Sequence, residues 1–420
     1  MAQARSRLNY LIILGFLAAA GFGLWLAWQL LHPKPGPLRL MPVAFPALPG
    51  WQGADPRPAL AAFGRSCAAI EKMPAAAPLG GAGYAGTARD WQGVCAALPP
   101  SPDSGGPLAP AAARQWFEAR FQPVQVSAGQ VRQGLFTGYY EPQLAASRSR
   151  HGAYRIPVYG LPDDLITIDL GQFRPALKGT RLAGRLKGRR LVPYPDRAEI
   201  DAKGLPTAPV LFWARDPVAV FFLQIQGSGR AVFDDGGVAR VSYAGQNGQP
   251  YTAIGRTLIQ MGAIPRQQMS LQSIRAWLLA HPAAARKVME GDASFVFFRM
   301  LPLVNPALGA DGSEAVPLTP RASLAVDARL HALGVPVYVA ATAPDPDAAE
   351  PDRPFDRLLV AQDTGGAIAG PVRGDVFWGF GKKAEAIAGR MKAPGAMYVL
   401  LPKPLAAKLG VQKDYPETAP

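Results

Sequence analysis

The 420-residue chain contains only two cysteines and four histidines. The histidines (His32, His151, His281, His331) are scattered through the sequence and form no ligand cluster, so a zinc-type centre has no donor set. There is no G-x-S-x-G elbow, no H-E-x-x-H, no Walker A sequence and no G-x-G-x-x-G between a strand and a helix, which leaves phosphoryl transfer and zinc hydrolysis without support. Charged residues are few, at 18% against 49% hydrophobic, which excludes a disordered chain. A single long apolar run excludes a polytopic membrane protein. Glycine and proline are abundant (45 and 43), which suggests a turn-rich architecture of many short strands rather than a helical bundle. The net charge of +14 favours an anionic partner: nucleic acid, acidic lipid or an acidic wall polymer.

Location narrows that choice. Arg5 and Arg7 precede an apolar run from Tyr10 to Leu31. At about 1.5 Å per residue the run reaches roughly 33 Å, enough to cross the hydrocarbon layer and longer than a typical signal-peptide core. Residues 1–34 are therefore expected to be a membrane anchor that leaves the N-terminus in the cytoplasm and exports the rest, with a signal cleaved near Ala18–Ala20 as the alternative. No cysteine lies in or just after the run, so lipidation of a processed N-terminal cysteine has no acceptor. Export removes nucleic acid from the partners. Cys67 and Cys95, 28 positions apart, lie where oxidation is permitted; a disulfide is expected, two buried thiols being the alternative.

Residues 35–58, rich in proline and glycine and without a period, read as a tether. Residues 59–121 are helical in patches, and strands begin within Leu135–Pro142. Short β-type pieces follow, among them Val210–Trp213 and Val220–Ile225. Helices are expected near Tyr251–Met261 and Ser270–Ala280, and later strands at Phe295–Phe298, Leu324–Val326, Val335–Ala341, Arg357–Gln362, Val376–Phe380 and Met397–Leu401. Eight basic side chains (Arg174, Lys178, Arg181, Arg185, Lys187, Arg189, Arg190, Arg197) read as a solvated hairpin, or as an attractor for an acidic polymer.

The stretch Ala361–Gly381 carries two acids twelve positions apart, Asp363 and Asp375. Asp375 precedes Val376, Phe377 and Trp378. Apolar surroundings of that kind raise a carboxyl pKa towards the range in which it donates a proton near neutrality; a turn-capping aspartate is the plainer reading. Asp363-Thr-Gly also raises an aspartic peptidase, but the second such motif that chemistry needs is absent. Gln224–Arg230 and Tyr243–Tyr251 mix glycine with amides, hydroxyls and aromatic rings, which suits either a sugar groove or turns at strand ends.

Taken in order, Phe136-Thr-Gly-Tyr-Tyr-Glu-Pro142, Gln224–Arg230, Tyr243–Tyr251, Ser294–Phe298, Pro317–Asp327 and Gln362–Gly381 resemble the membrane-bound lytic murein transglycosylase A family, over roughly residues 130–403. The resemblance implies a mainly β fold with flanking helices: a double-psi β-barrel with a second, inserted β domain and a groove between them. The barrel is expected to be discontinuous, from 59–142 and 306–420, with the insert at 143–305. The last motif is similar to that family's three-aspartate segment. The resemblance makes Asp375 the catalytic acid and Asp363 its organising neighbour. Tyr139, Tyr140 and Thr137 would line the groove, with Gln226, Gly227, Ser228, Gly229, Arg230, Tyr243 and Asn247 binding substrate. It also implies a peptidoglycan exotransglycosylase that forms 1,6-anhydromuramic ends and needs no cofactor or metal. Its partners would be glycan strands, the membrane through the N-terminal helix, and cell-wall synthesis or division proteins. The sequence departs from the family's lipoprotein members in lacking a lipidatable cysteine near its N-terminus, so its expected place is the inner membrane, facing the periplasm, or the periplasm itself after signal cleavage. A non-catalytic wall-binding barrel is the alternative.

Overall fold

The computed structural model describes residues 36–100, 108–177, 180–347, 349–409 and 413–415. The apolar run Tyr10–Leu31 lies outside them; among the described residues no helix is long and apolar enough to cross a membrane.

The N-terminal part comprises β1 (Leu38–Pro42), helices α1 (Arg57–Ile70), α2 (Ala88–Ala96) and α3 (Pro110–Arg120), then β2 (Phe121–Ala128) and β3 (Gln133–Glu141). The middle part runs β4 (Gln143–Ser147), β5 (Ile156–Tyr159), β6 (Ile166–Asp169), β7 (Arg181–Lys187), β8 (Arg190–Pro193), α4 (Arg197–Lys203), β9 (Val210–Ala214), α5 (Pro217–Gln226), β10 (Ser228–Phe233), β11 (Val238–Gln246), α6 (Ile254–Gln260), α7 (Leu271–Ala280), α8 (Pro282–Glu290) and β12 (Val296–Pro302). The chain closes with β13 (Ser323–Val326), β14 (Pro336–Ala343), β15 (Arg353–Thr364), β16 (Arg373–Phe380), α9 (Gly381–Ala388), β17 (Lys392–Pro402), α10 (Lys403–Leu409) and β18 (Lys413–Tyr415).

Strands β14, β15, β13, β16, β3 and β17 pair in that order, and β17 pairs back onto β14, closing a six-stranded barrel with no free edge. Two of its pairings are parallel, β13 with β15 and β16 with β3. Parallel neighbours need long crossovers; here the whole of β4–β12 lies between β3 and the return to β13. That excursion builds a separate six-stranded sheet, β12-β11-β10-β4-β9-β5, and a small sheet, β6-β7-β8. The fold is thus mainly β, with a double-psi barrel, an inserted β domain and a groove between them. One apolar core fills the barrel and the underside of α1–α3, and separate cores serve the insert. Cys67 of α1 and Cys95 of α2 are joined by a disulfide.

Two expectations are corrected. Residues 38–58 are no tether. Leu38 and Leu40 alternate into the core, β1 pairs with β2, and Trp51 is buried with its indole N–H donating to Glu118 Oε1 at 2.7 Å. Val220–Ile225 is no strand. Asp216 accepts from the Val218 amide, Pro217 opens the first turn, and Gly227 ends α5 with φ +75°, so start and stop signals override the β-branched composition. Pro282, expected only to stop α7, also opens α8.

Candidate functional site

Strand β16 places Asp375 between two neighbours: it registers with Thr137 of β3 in parallel and with Ala325 of β13 antiparallel. Ala325 in turn registers with Asp363 of β15 on its other side. Strand alternation then puts Thr137, Tyr139, Asp375 and Phe377 on one face, and the Tyr139 and Phe377 rings meet at 5.2 Å between centroids. Gly138 between them is obligatory, because a Cβ there would lie 2.6 Å from the Trp378 indole.

The two acids of this face are held differently. Asp363 is held by four donors. Its Oδ1 accepts from the Ser313 amide (3.0 Å), the Ser313 hydroxyl (2.9 Å) and its neighbour's amide at Thr364 (2.9 Å), while Oδ2 accepts the Tyr139 hydroxyl at 2.8 Å. Among the described residues Asp375 accepts one hydrogen bond, from the Thr137 hydroxyl to Oδ1 at 2.6 Å. Thr137 Oγ1 in turn accepts from Arg373 Nη2 at 2.9 Å, and the rest of that guanidinium donates to the Leu135 and Gly374 carbonyls. The cation therefore acts on Asp375 through a hydroxyl and at a distance, not by pairing with it. Burial pushes the Asp375 pKa up to about 6 from 3.8; the Thr137 hydrogen bond and Arg373 oppose the rise, and the nearby Asp363 charge adds to it. Burial, with the Asp363 charge beside it, holds the Tyr139 phenol well above its ordinary value, so Tyr139 stays a donor.

Of the residues named from sequence, Thr137, Tyr139, Asp363 and Asp375 converge. Gln226 lies at the edge of the same strand, its Oε1 accepting from the Tyr140 amide at 3.4 Å, with Gly227 and Ser228 leading from it into β10. Tyr243 is half exposed on β11. Four others do not belong to the groove. Tyr140 points to the opposite face of β3, buried, with its hydroxyl bonded to Glu385 of α9. Gly229 is buried at a tight crossing, where a Cβ would meet Leu223 and the Pro142 carbonyl. Arg230 is 3% exposed and is spent on Glu141 (3.0 Å) and the carbonyls of Pro306 and Leu308. Asn247 is fully buried, donating to the Pro195 and Ala293 carbonyls and accepting from the Phe295 amide.

Sequence reasoning missed Ser313, Arg373 and Glu141. Arg373 was findable, since it stands two residues before Asp375 on the same strand face. Ser313 was not, because only the fold brings its loop to Asp363. No group of three or more potential metal-ligating side chains occurs among the described residues.

A closed barrel that sets a desolvated carboxyl, met by a neutral hydroxyl, beside a second carboxyl held by four donors has the layout of an enzyme's catalytic face. Residues 135–299 match the family model of the MltA specific insert domain, and residues 322–401 that of the 3D domain. Membrane-bound lytic murein transglycosylase A of Escherichia coli K12 is 34% identical over 276 residues, covering 65% of this chain and 67% of that protein. The crystal structure of a membrane-bound lytic murein transglycosylase from Agrobacterium tumefaciens superposes with a TM-score of 0.74 at 32% identity, over 88% of this chain and 99% of that one. Escherichia coli MltA with bound chitohexaose aligns with a TM-score of 0.60 at 26% identity, over 88% and 95%. The chain belongs to the membrane-bound lytic murein transglycosylase A family.

Proposed function

We propose that this chain is a peptidoglycan lytic transglycosylase that cleaves the β-1,4 bond between N-acetylmuramic acid and N-acetylglucosamine without water, using Asp375 as acid and then as base. The observation that carries the reading is the contrast between the two carboxyls. Glycoside hydrolysis needs a second free carboxylate as nucleophile or base. Asp363 is poorly placed for that role, because four donors hold it in the barrel wall, three on Oδ1 and the Tyr139 hydroxyl on Oδ2. A one-acid route suits a sugar that supplies its own nucleophile, and muramic acid has one in its C6 hydroxyl, whose intramolecular attack enjoys a large effective concentration.

With Oδ1 of Asp375 taken by Thr137, the proton is carried on Oδ2. Asp375 donates it to the glycosidic oxygen as the bond from C1 breaks, and the glucosamine leaves with a free hydroxyl. The C6 oxygen closes on C1, its proton returns to the Asp375 carboxylate, and the acid is regenerated with a 1,6-anhydromuramic end as product. Tyr139 and Ser313 hold Asp363 in place, and its charge keeps Asp375 protonated to higher pH. The chitohexaose bound by the Escherichia coli relative supports an amino-sugar chain as ligand, and the relatives' membrane-bound description supports an envelope location, with the apolar run as anchor and the barrel in the periplasm.

The test is mass spectrometry of sacculi digested with wild type and Asp375→Asn. General acid catalysis is worth about 10²–10⁴-fold. The variant should fold and bind glycan while losing anhydro-ended products by about that factor. Undiminished anhydro product would remove Asp375 from the role, and reducing ends from the wild type would convert the reading to a hydrolase.

A further inference from the structure

The small sheet β6-β7-β8 is not absorbed by the catalytic reading. Leu170–Pro195 contains seven lysines and arginines and no aspartate or glutamate. Alternation sorts the sheet into two faces. On one, Ala183 lies against Gly248 and the Arg185 guanidinium sits 5.8 Å from the Tyr194 ring, so that face looks inward to the insert. On the other, Leu186 registers with Leu191 and Ile168 with Leu182; Leu186 is 61% exposed, Leu182 48% and Leu191 38%, while Ile168 is half-buried. Phe173, beside the sheet, is 73% exposed. The β7–β8 turn places Lys187, Arg189 and Arg190 at the tip, directly beyond the Leu186–Leu191 pair, all exposed.

We propose that this hairpin is a second membrane contact, which lays its leucine face into the headgroup–acyl boundary of an anionic bilayer while the cations at its tip meet lipid phosphates. Charge selects the occupant, since cations within a Debye length of an anionic surface are drawn to it. Apolar side chains discriminate between the anionic candidates. Leucines give a glycan neither a hydrogen bond nor a stacking plane, but gain by leaving water at a bilayer boundary, with long cationic side chains snorkelling outward. An exposed apolar patch rimmed by lysine and arginine is otherwise a liability in an edge sheet. The consequence is orientation: one anchor leaves the body free to rotate, and a second contact fixes which way the groove faces.

The test uses the full chain carrying a spin label at Leu186→Cys, reconstituted in phosphatidylethanolamine vesicles containing phosphatidylglycerol, in uncharged phosphatidylcholine vesicles, and in detergent. With the anionic lipid, collisions with an aqueous nickel complex should fall about ten-fold relative to detergent, an effect lost in uncharged vesicles and in the Lys187→Glu/Arg189→Glu/Arg190→Glu variant. Equal accessibility in all three media would overturn the proposal. So would equal shielding in all three, which would mean contact with another protein copy or with the body itself, or shielding in both vesicle types that ignores charge. Cleavage of detergent-dispersed glycan should be unchanged in the triple variant, which certifies its fold and separates this outcome from any failure of Asp375.

Discussion

Two carboxyls within one barrel, Asp375 and Glu141, show how the same physics yields a tool in one place and a joint in another. Burial raises the pKa of both. Glu141, at the end of β3, is met by two guanidiniums, Arg230 at 3.0 Å and Arg240 at 3.6 Å, and by the Ala310 amide. Arg230 and Arg240 tie the barrel to β10 and β11 of the insert. Asp375 is met by a neutral hydroxyl, and the nearest arginine is turned onto that hydroxyl and onto carbonyls. A desolvated acid with cations beside it holds structure; one without them holds a proton. Glu314 sharpens the point: its pKa is pushed up to about 7, yet it bonds Ser66 of α1 and Gln362 in the barrel wall, so a raised pKa alone does not identify the catalytic group.

The largest effect expected from breaking this comparison is on Asp375 activity, the loss described above. Next comes Glu141→Ala, which strands Arg230 and Arg240 without their carboxylate. Losing one partner of a buried pair costs about 3–5 kcal/mol, so the midpoint of thermal unfolding should fall by on the order of 10 °C. Asp375→Asn should do the opposite. The fold raises this pKa from 3.8 to about 6, so the folded state pays for ionising Asp375 once pH passes that window, and stability falls as pH rises through it. The asparagine variant should therefore be more stable than wild type at pH 8, by about 1–2 kcal/mol allowing for partial solvation, and no different at pH 4. Calorimetry at the two pH values separates these signs; a destabilised Asp375→Asn at pH 8 would make Asp375 a joint like Glu141.

The smallest effects are shifts in the pH–rate profile. Activity should decline as pH rises through about 6, because the proton donor is lost. Thr137→Val removes the hydrogen bond that favours the carboxylate, so its declining limb should move to higher pH. Asp363→Asn removes a repelling charge, so its limb should move to lower pH. Shifts of the same sign in both variants would contradict these assignments.

Asp363 and Asp375 were legible in the sequence because the glycine-rich segment and the apolar run after Asp375 are local. The closed barrel was legible only through resemblance, since no local pattern states that β14 returns to β17. Arg230 and Asn247 were misread for a physical reason: an arginine among glycines or a buried asparagine looks the same whether its partner is a sugar or a carbonyl, and those partners, Glu141 and Pro195, come from distant chain. The strand Leu38–Pro42 was hidden because two alternating leucines among prolines give too short a period to register. Val220–Ile225 has no period at all, and only Asp216-Pro217 before it and Gly227 after it mark a helix.

The central claim, a single carboxyl kept neutral by burial and not pinned by a cation, is open to direct reading without substrate. Infrared difference spectra of wild type minus Asp375→Asn across pH isolate the C=O stretch of the protonated Asp375 carboxyl. The account predicts that this band persists well above pH 4 and disappears with a midpoint near 6. A band lost near the ordinary value of 3.8 would mean that Asp375 is already a carboxylate at neutrality and is not the proton donor.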